Sequence, residues 1–191
     1  MNCMHHHILA VMTGLLLLSG CALSPQVVSV QPALDTAALP QDGAANTLAF
    51  TVKDVRTNAV VGYRGGVYDT ATITLAEDAT ARIQAGLEQA LAARGFSVVQ
   101  SGTPASVTLL VELVELGYKV TQGQVTRVVE VTAAIRARSQ SGAVTRTGEY
   151  RDTRTQESVK PPSDSQNEAQ INEVLSAALQ RLVADAELFK Y

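Results

Sequence analysis

Val107-Thr108-Leu109-Leu110-Val111-Glu112-Leu113 puts an apolar side chain at every second position, and Val129-Glu130-Val131-Thr132-Ala133-Ala134-Ile135 repeats the pattern downstream. Successive strand side chains point to opposite faces, so a period of two predicts strands that bury one face and wet the other. Glu130, Thr132, Arg136 and Arg138 lie on the second face of the return strand, which predicts a solvated sheet surface. Residues Gly117 to Gln124 carry turn chemistry between the two runs, which makes the pair a long antiparallel hairpin.

Outward from the hairpin, Gln140-Ser141-Gly142 turns the chain into a further strand, Val144 to Arg151, and Asp152 to Gln166 is a polar loop containing Pro161-Pro162. A last helix is expected from near Ser165, spaced from Glu168 as a capping box requires. Ile171, Val174, Leu175, Ala178, Leu182, Val183 and Ala186 form its apolar stripe, and Phe189 closes it. Upstream, Phe96 to Gln100 reads as a short strand. Before it, Ile83, Leu87 and Leu91 mark a helix opened by a Thr74–Glu77 capping box and closed by Arg94, which suits the negative end of the dipole, and Gly95. Asn46 to Val55 is the first strand, with Leu48, Phe50 and Val52 on one face; Arg56 to Thr72 is a loop or an irregular hairpin. The expected domain, residues 46–191, is α+β. It is a two-layer α/β sandwich in which about four or five mostly antiparallel strands carry two amphipathic helices on one face.

At the other end of the chain, Ile8 to Leu18 is an apolar run followed by Leu18-Ser19-Gly20-Cys21. A bilayer span takes roughly 20 apolar residues, so the run fits the core of a cleaved export signal over residues 1–20. Met1 to His7 contains no Lys or Arg, and Met4 is a second candidate start. The four residues 18–21 resemble a bacterial lipobox, which makes Gly20–Cys21 the cleavage site and Cys21 the lipidated first residue. Two or more acyl chains (palmitate among them) hold a protein on a membrane stably, where one does so marginally. Residues 21–45, with Pro25, Pro32, Pro40 and Asp42-Gly43, are expected to form a flexible tether of roughly 25–30 Å root-mean-square span. Within it, Val27-Val28-Ser29-Val30 can pair with a sheet edge.

Inventory excludes more than it suggests. The three His, residues 5–7, and Cys3 leave with the signal, so the remaining chain offers no Ser-His-Asp or Cys-His catalysis, no His-based zinc site and no internal disulfide. No cofactor is expected beyond the lipid on Cys21, and no metal. A net charge of −3 argues against nucleic acid as a partner, and the absence of Trp argues against a stacking platform.

The lipobox, Asp54-Val55-Arg56-Thr57 after the first strand, Ile73-Thr74-Leu75 before the first helix, Ala93-Arg94-Gly95-Phe96 after it, the hairpin around Gln122-Gly123 and the terminal helix together resemble the YajG-like family of small bacterial lipoproteins. The resemblance covers nearly the whole processed chain except Tyr63 to Tyr68. It implies a Gram-negative envelope lipoprotein with a compact α/β domain and brings no activity, cofactor or catalytic residue. With Ala22 rather than Asp after the cysteine, it also implies the periplasmic face of the outer membrane.

Candidate contacts for a ligand or partner are few. Gly62-Tyr63-Arg64-Gly65-Gly66 can offer backbone N–H groups to a phosphate or glycan, with Arg64, Gly65 and Gly66 as its contacts; an ordinary glycine turn is the competing reading. Arg146, Arg151 and Arg154, with Tyr150 between, can grip carboxylates or phosphates, but Arg146 and Arg151 fall on opposite strand faces and Glu149 and Asp152 offset the charge, which favours a solvated, paired edge. Arg56 either joins such contacts or holds the Asp54 turn. Glu112 and Glu115 point to opposite faces of a regular strand, which argues against joint acid–base work and for cross-strand pairing with Arg136 or Arg138. The expected function is therefore a non-enzymatic, membrane-anchored binding module for an envelope protein or cell-wall component. A lipid- or glycolipid-handling accessory subunit is the alternative, and it requires an apolar groove near Phe96 and Phe189.

Overall fold

The computed structural model describes residues 23–43, 46–65 and 70–191. In chain order the elements are β1 (Gln26–Val28), β2 (Thr47–Asp54), β3 (Val60–Tyr63), β4 (Thr72–Leu75), α1 (Ala79–Ala93), β5 (Ser97–Val99), β6 (Val107–Gln122), β7 (Arg127–Ser141), β8 (Val144–Ser158) and α2 (Asp164–Ala184).

The alternating run that begins at Val107 becomes the centre of the sheet. β7 returns antiparallel along the full length of β6, and β8 returns antiparallel along β7. On the opposite side of β6, its first half pairs with β2 from Leu48↔Val107 to Asp54↔Leu113, and its second half meets β3 at Gly62↔Tyr118, both parallel. β5 extends the sheet beyond β2, while β4 and then β1 extend it beyond β3. Among the described residues the sheet thus has eight strands rather than four or five, and most of its seven pairings are parallel rather than antiparallel. The reason lies in two short strands, β1 and β4, and in the parallel return of β2 onto β6 through α1 and β5. The meander β6–β7–β8 follows the expected antiparallel order, and β3 with β4 forms the irregular hairpin that is one reading of Arg56 to Thr72. The first turn of the meander is also tighter than Gly117–Gln124. Those residues continue β6 up to Gln122, and the turn closes where the Gly123 amide donates to the Thr126 carbonyl (2.8 Å).

One face of the sheet holds a continuous core. Leu48, Phe50 and Val52 of β2, Val107, Leu109, Val111 and Leu113 of β6, and Val129, Val131, Ala133 and Ile135 of β7 meet Ile83 and Leu87 of α1 and the stripe of α2. Both helices lie on this face, as the sequence predicts. Full burial of each such Leu, Ile or Phe contributes on the order of 1.5–3 kcal/mol. Gly95, at φ 98°, ends α1, so that the Phe96 amide returns to the Leu91 carbonyl (3.2 Å).

Local signals at both helix starts shift. Thr74 lies in β4, and α1 begins at Ala79 without a side-chain cap. The capping box of α2 is Ser163 with Gln166, two residues before the Ser165–Glu168 spacing.

The expected tether is ordered over its described residues. Val28 and Val30 have no exposed surface, and β1 pairs with β4 from Gln26↔Ile73 to Val28↔Leu75. Beyond β1 the chain runs along α2. The amides of Ser29, Gln31, Ala33 and Asp35 donate in turn to the side chains of Glu168, Asn172, Ser176 and Gln180, at 2.6–3.1 Å. Every second residue of an extended chain advances about 6.6 Å and every fourth residue of a helix about 6 Å, so the two repeats stay in step over this length. Asn172 and Gln180 also donate back, to the carbonyls of Ser29 and Asp35.

Candidate interaction surface

β8 borders the sheet. It pairs with β7 along one side, from Arg127↔Ser158 to Ser141↔Val144, and with no second strand among the described residues. Its sequence, rich in Thr and in charges of both signs, suits a pleated strand that stays in water. Tyr150 is its one buried side chain. A strand in this position presents a row of backbone N–H and C=O groups along its outer side. Arg181 of α2 donates to the Arg151 carbonyl at the middle of the strand and covers part of the row.

The sheet face opposite the helices is polar, and two of its arginines are paired with glutamates. Arg136 donates to Glu112 (2.8 Å) and Arg151 to Glu115 (2.6 Å), while Thr132 and Thr153 share a hydrogen bond (3.0 Å). The Glu112 contact raises the Arg136 pKa, through its hydrogen bond and then its charge. The two glutamates do share this face, contrary to the expectation for a regular strand. A β-bulge between Leu113 and Glu115 adds the residue that turns Glu115 to the side of Glu112. Each carboxylate is then taken up by its own arginine. At the β2 end the same face bears a groove of about 750 Å³ lined by Thr51, Lys53, Arg138 and Gln140 and walled by residues 101–105.

The candidate contact residues do not converge. Gly20, Cys21 and Gly66 lie outside the described residues. Gly65 adopts φ 79° beside the Val120 side chain. Arg56 donates from its backbone and side chain to Asp54 (2.7–3.2 Å) and holds that turn closed. Burial pushes the Asp54 carboxyl up, and the Arg56 hydrogen bonds and charge more than offset it, so its pKa lies below the ordinary value. Tyr150 faces the helix layer and donates to Asp185 just beyond α2 (2.6 Å); burial, then this bond, push its hydroxyl well above 10. Arg151 faces the open side, whereas Arg154 faces α2 and pairs with Asp152 (3.4 Å) and Glu173. Arg146 reaches the Lys190 carbonyl (3.3 Å). The three arginines share no partner and build no common anion site.

Arg64 is likewise not a surface contact. It is 6 % exposed, donates to the Ser24 carbonyl (3.1 Å) and pairs with Asp164 at the start of α2. Beside it, Tyr118 donates to Asn167 (2.6 Å), Asn167 to Gln26 (2.9 Å), and Gln26 to the Asp164 carbonyl (2.7 Å). Desolvation pushes the Tyr118 hydroxyl up to about 12, with Arg64 acting in the opposite sense. At the other end of α2, Arg94 is completely buried. Its guanidinium takes both oxygens of Asp42 (2.6 Å each) and the carbonyls of Val183 (2.7 Å) and Asp185 (3.0 Å), and it stacks over Phe189 at 4.4 Å. The Arg94 hydrogen bonds hold the Asp42 carboxyl below the usual aspartate range against the opposing effect of burial. Arg94 therefore caps a second helix through space, a role that its own helix-end position does not reveal. Phe96 and Phe189 pack at 5.4 Å between centroids, each 5 % exposed, and the cavity of about 510 Å³ beside Phe189 is lined mainly by polar and charged residues, Asp42, Asn46, Glu187 and Lys190 among them, so it is not an apolar groove.

The model of a family described as uncharacterized lipoprotein, Lipoprotein_16, matches residues 32–191. No curated protein matches the chain. Among solved structures, a protein of Xanthomonas campestris assigned to the DUF330 family is 14 % identical, with a TM-score of 0.56 over 88 % of this chain and 95 % of that one. That likeness is one of fold. Lipoprotein GNA1162 of Neisseria meningitidis is 10 % identical with a TM-score of 0.36, over 73 % of this chain and 99 % of that one. A putative neuraminyllactose-binding hemagglutinin homolog of Helicobacter pylori is 10 % identical with a TM-score of 0.42, over 78 % and 91 %. The last two are too distant to carry an argument.

Proposed function

The chain belongs to the Lipoprotein_16 family of uncharacterized lipoproteins, and from that premise we propose that it is a lipid-anchored, non-catalytic binding module of the bacterial envelope that receives a partner along the outer side of β8. The observation that carries this reading is the edge itself: a strand of 15 residues with no second strand on its outer side among the described residues, and with Tyr150 as its one buried residue. Adding a strand to such an edge supplies affinity through main-chain hydrogen bonds and specificity through alternate side chains. No catalytic family is indicated, and the paired state of Glu112 and Glu115 favours a structural use of those carboxylates. The lipid- and glycolipid-handling alternative has less support, since Phe96 and Phe189 pack on each other and the cavity beside Phe189 is lined mainly by polar and charged residues.

In the same reading Cys21 carries the lipid after cleavage behind Gly20, and Ala22 directs the protein to the periplasmic face of the outer membrane. The YajG-like likeness of Asp54-Val55-Arg56-Thr57 and Ala93-Arg94-Gly95-Phe96 is kinship within the wider lipoprotein family. The partner is an envelope protein or a cell-wall component, and nucleic acid has no part. Photo-reactive residues placed at Thr147 and Thr153, flanking the edge, and at Lys119, on the open face away from it, test the proposal in living cells. Recurrent capture of one protein or cell-wall fragment from 147 and 153 but not from 119 is the expected result. Capture from 119 alone would overturn the edge as the binding site.

A further inference from the structure

One end of the sheet collects features that the binding edge does not use. β6 ends there at Gln122 and β7 begins there at Arg127; β8 ends at Ser158, and α2 starts nearby at Asp164. β3 runs parallel to β6, so Arg64 emerges at this end, and β1 enters the sheet here at Gln26. Arg64 fixes the Ser24 carbonyl at the same place (3.1 Å). Among the described residues the three most exposed large hydrophobics are Val125 (78 %), Val159 (70 %) and Val27 (65 %). All three belong to this end, two of them at loop tips. Arg127 and Lys160 stand within two residues of the loop valines, and the opposing charges nearby are Glu157 and Asp164, the latter paired with Arg64.

Resting on the lipid-anchor reading above, we infer that this end of the domain lies on the phospholipid surface that holds Cys21, with Val125 and Val159 entering the headgroup layer and Arg127 and Lys160 meeting lipid phosphates. Covalent geometry is decisive here. Three residue steps separate Cys21 from Ser24, and a fully extended chain advances at most about 3.6 Å per residue, so the lipidated cysteine stays within about 11 Å of a carbonyl fixed to the folded body. The tether that would let the domain stand off and tumble is consumed by β1 and by the ladder along α2. Exposed apolar tips flanked by cations are the chemistry that an interface of acyl chains and phosphates accepts. The far end of β8, at Val144, is then about 45 Å away along a strand of 15 residues rising about 3.3 Å each, and the binding edge stands upright from the membrane.

The test uses the full lipidated chain in phosphatidylethanolamine–phosphatidylglycerol vesicles that contain a lipid spin-labelled at the headgroup. Single variants Val125→Cys, Val159→Cys and Val144→Cys, all at exposed positions, are labelled with a fluorophore; an acylated Cys21 does not react. Loss of fluorescence at 125 and 159 with none at 144 is the expected result. Equal quenching at all three positions, or none, in chains that float with the vesicles overturns the orientation and leaves the anchor standing. Thiol labelling of the unsubstituted chain, together with failure to float, overturns the anchor and the orientation with it.

Discussion

The two outer flanks of the sheet are built on opposite plans. On the β1–β4 flank a short strand is followed by a segment whose alternate amides are taken one by one by Glu168, Asn172, Ser176 and Gln180 of α2, and Arg64 and Arg94 fasten the neighbourhood at the two ends of that helix. On the β8 flank a much longer strand ends the sheet with a single buried side chain and with ion pairs in water. The first flank satisfies its polar groups inside the fold; the second leaves them for something else. Differences in stability and differences in binding should therefore separate along this line.

The largest effect is expected at Arg94. Arg94→Ala removes a buried guanidinium from Asp42, Val183 and Asp185 and should lower unfolding free energy by about 3 kcal/mol or more, read from urea denaturation. The same pair fixes an acid response. Asp42 titrates below 3.8 in the fold, so the unfolded chain binds more protons across that window; the stabilisation is complete above 3.8 and disappears as pH falls through the folded value. The Arg94→Ala chain should show a weaker loss of stability on acidification than the parent. Next comes Asn167, which is fully buried between Tyr118 and Gln26. Asn167→Ala leaves partners on both sides unsatisfied and should cost about 2 kcal/mol. Asn172→Ala cuts one rung of the ladder and should cost about 1 kcal/mol. The smallest effect belongs to the open flank: Arg151→Ala breaks an exposed pair with Glu115 and should change stability by no more than about 0.5 kcal/mol. If Arg151→Ala proves as damaging as Asn172→Ala, the contrast between the flanks collapses.

Much of this division could be foreseen from residue patterns, and some could not. Val107 to Leu113 and Val129 to Ile135 declared their strands because period-two burial leaves a direct trace in the residue order. Ile83, Leu87 and Leu91 declared α1 in the same way, and Gly95 its end. β4 was concealed because Thr74 and Glu77 imitate a helix start, while pairing with β1 and β3 decides otherwise. The ladder was concealed for a different reason. Glu168, Asn172, Ser176 and Gln180 at four-residue intervals look like a solvated helix face, and the Pro-containing segment that binds them has no periodicity of its own. Sheet order was concealed too, since nothing local reports that β2 and β3 share one side of β6. Of the candidate contacts, Arg56 served the Asp54 turn, as one of its two readings held. Arg64 and Tyr150 were drawn inward by partners more than 30 residues away, Ser24 and Asp185, which no local spacing announces.

The central contrast is open to one direct measurement, native-state amide hydrogen exchange resolved to single residues. Protected amides are expected at Gln31, Ala33 and Asp35 and, along β8, slow exchange at residues bonded to β7 alternating with fast exchange at residues facing outward. Exchange at Gln31, Ala33 and Asp35 as fast as in a free chain, with uniform protection along β8, would contradict that contrast. The amino-terminal segment would then be a tether after all, and the β8 edge would already be covered.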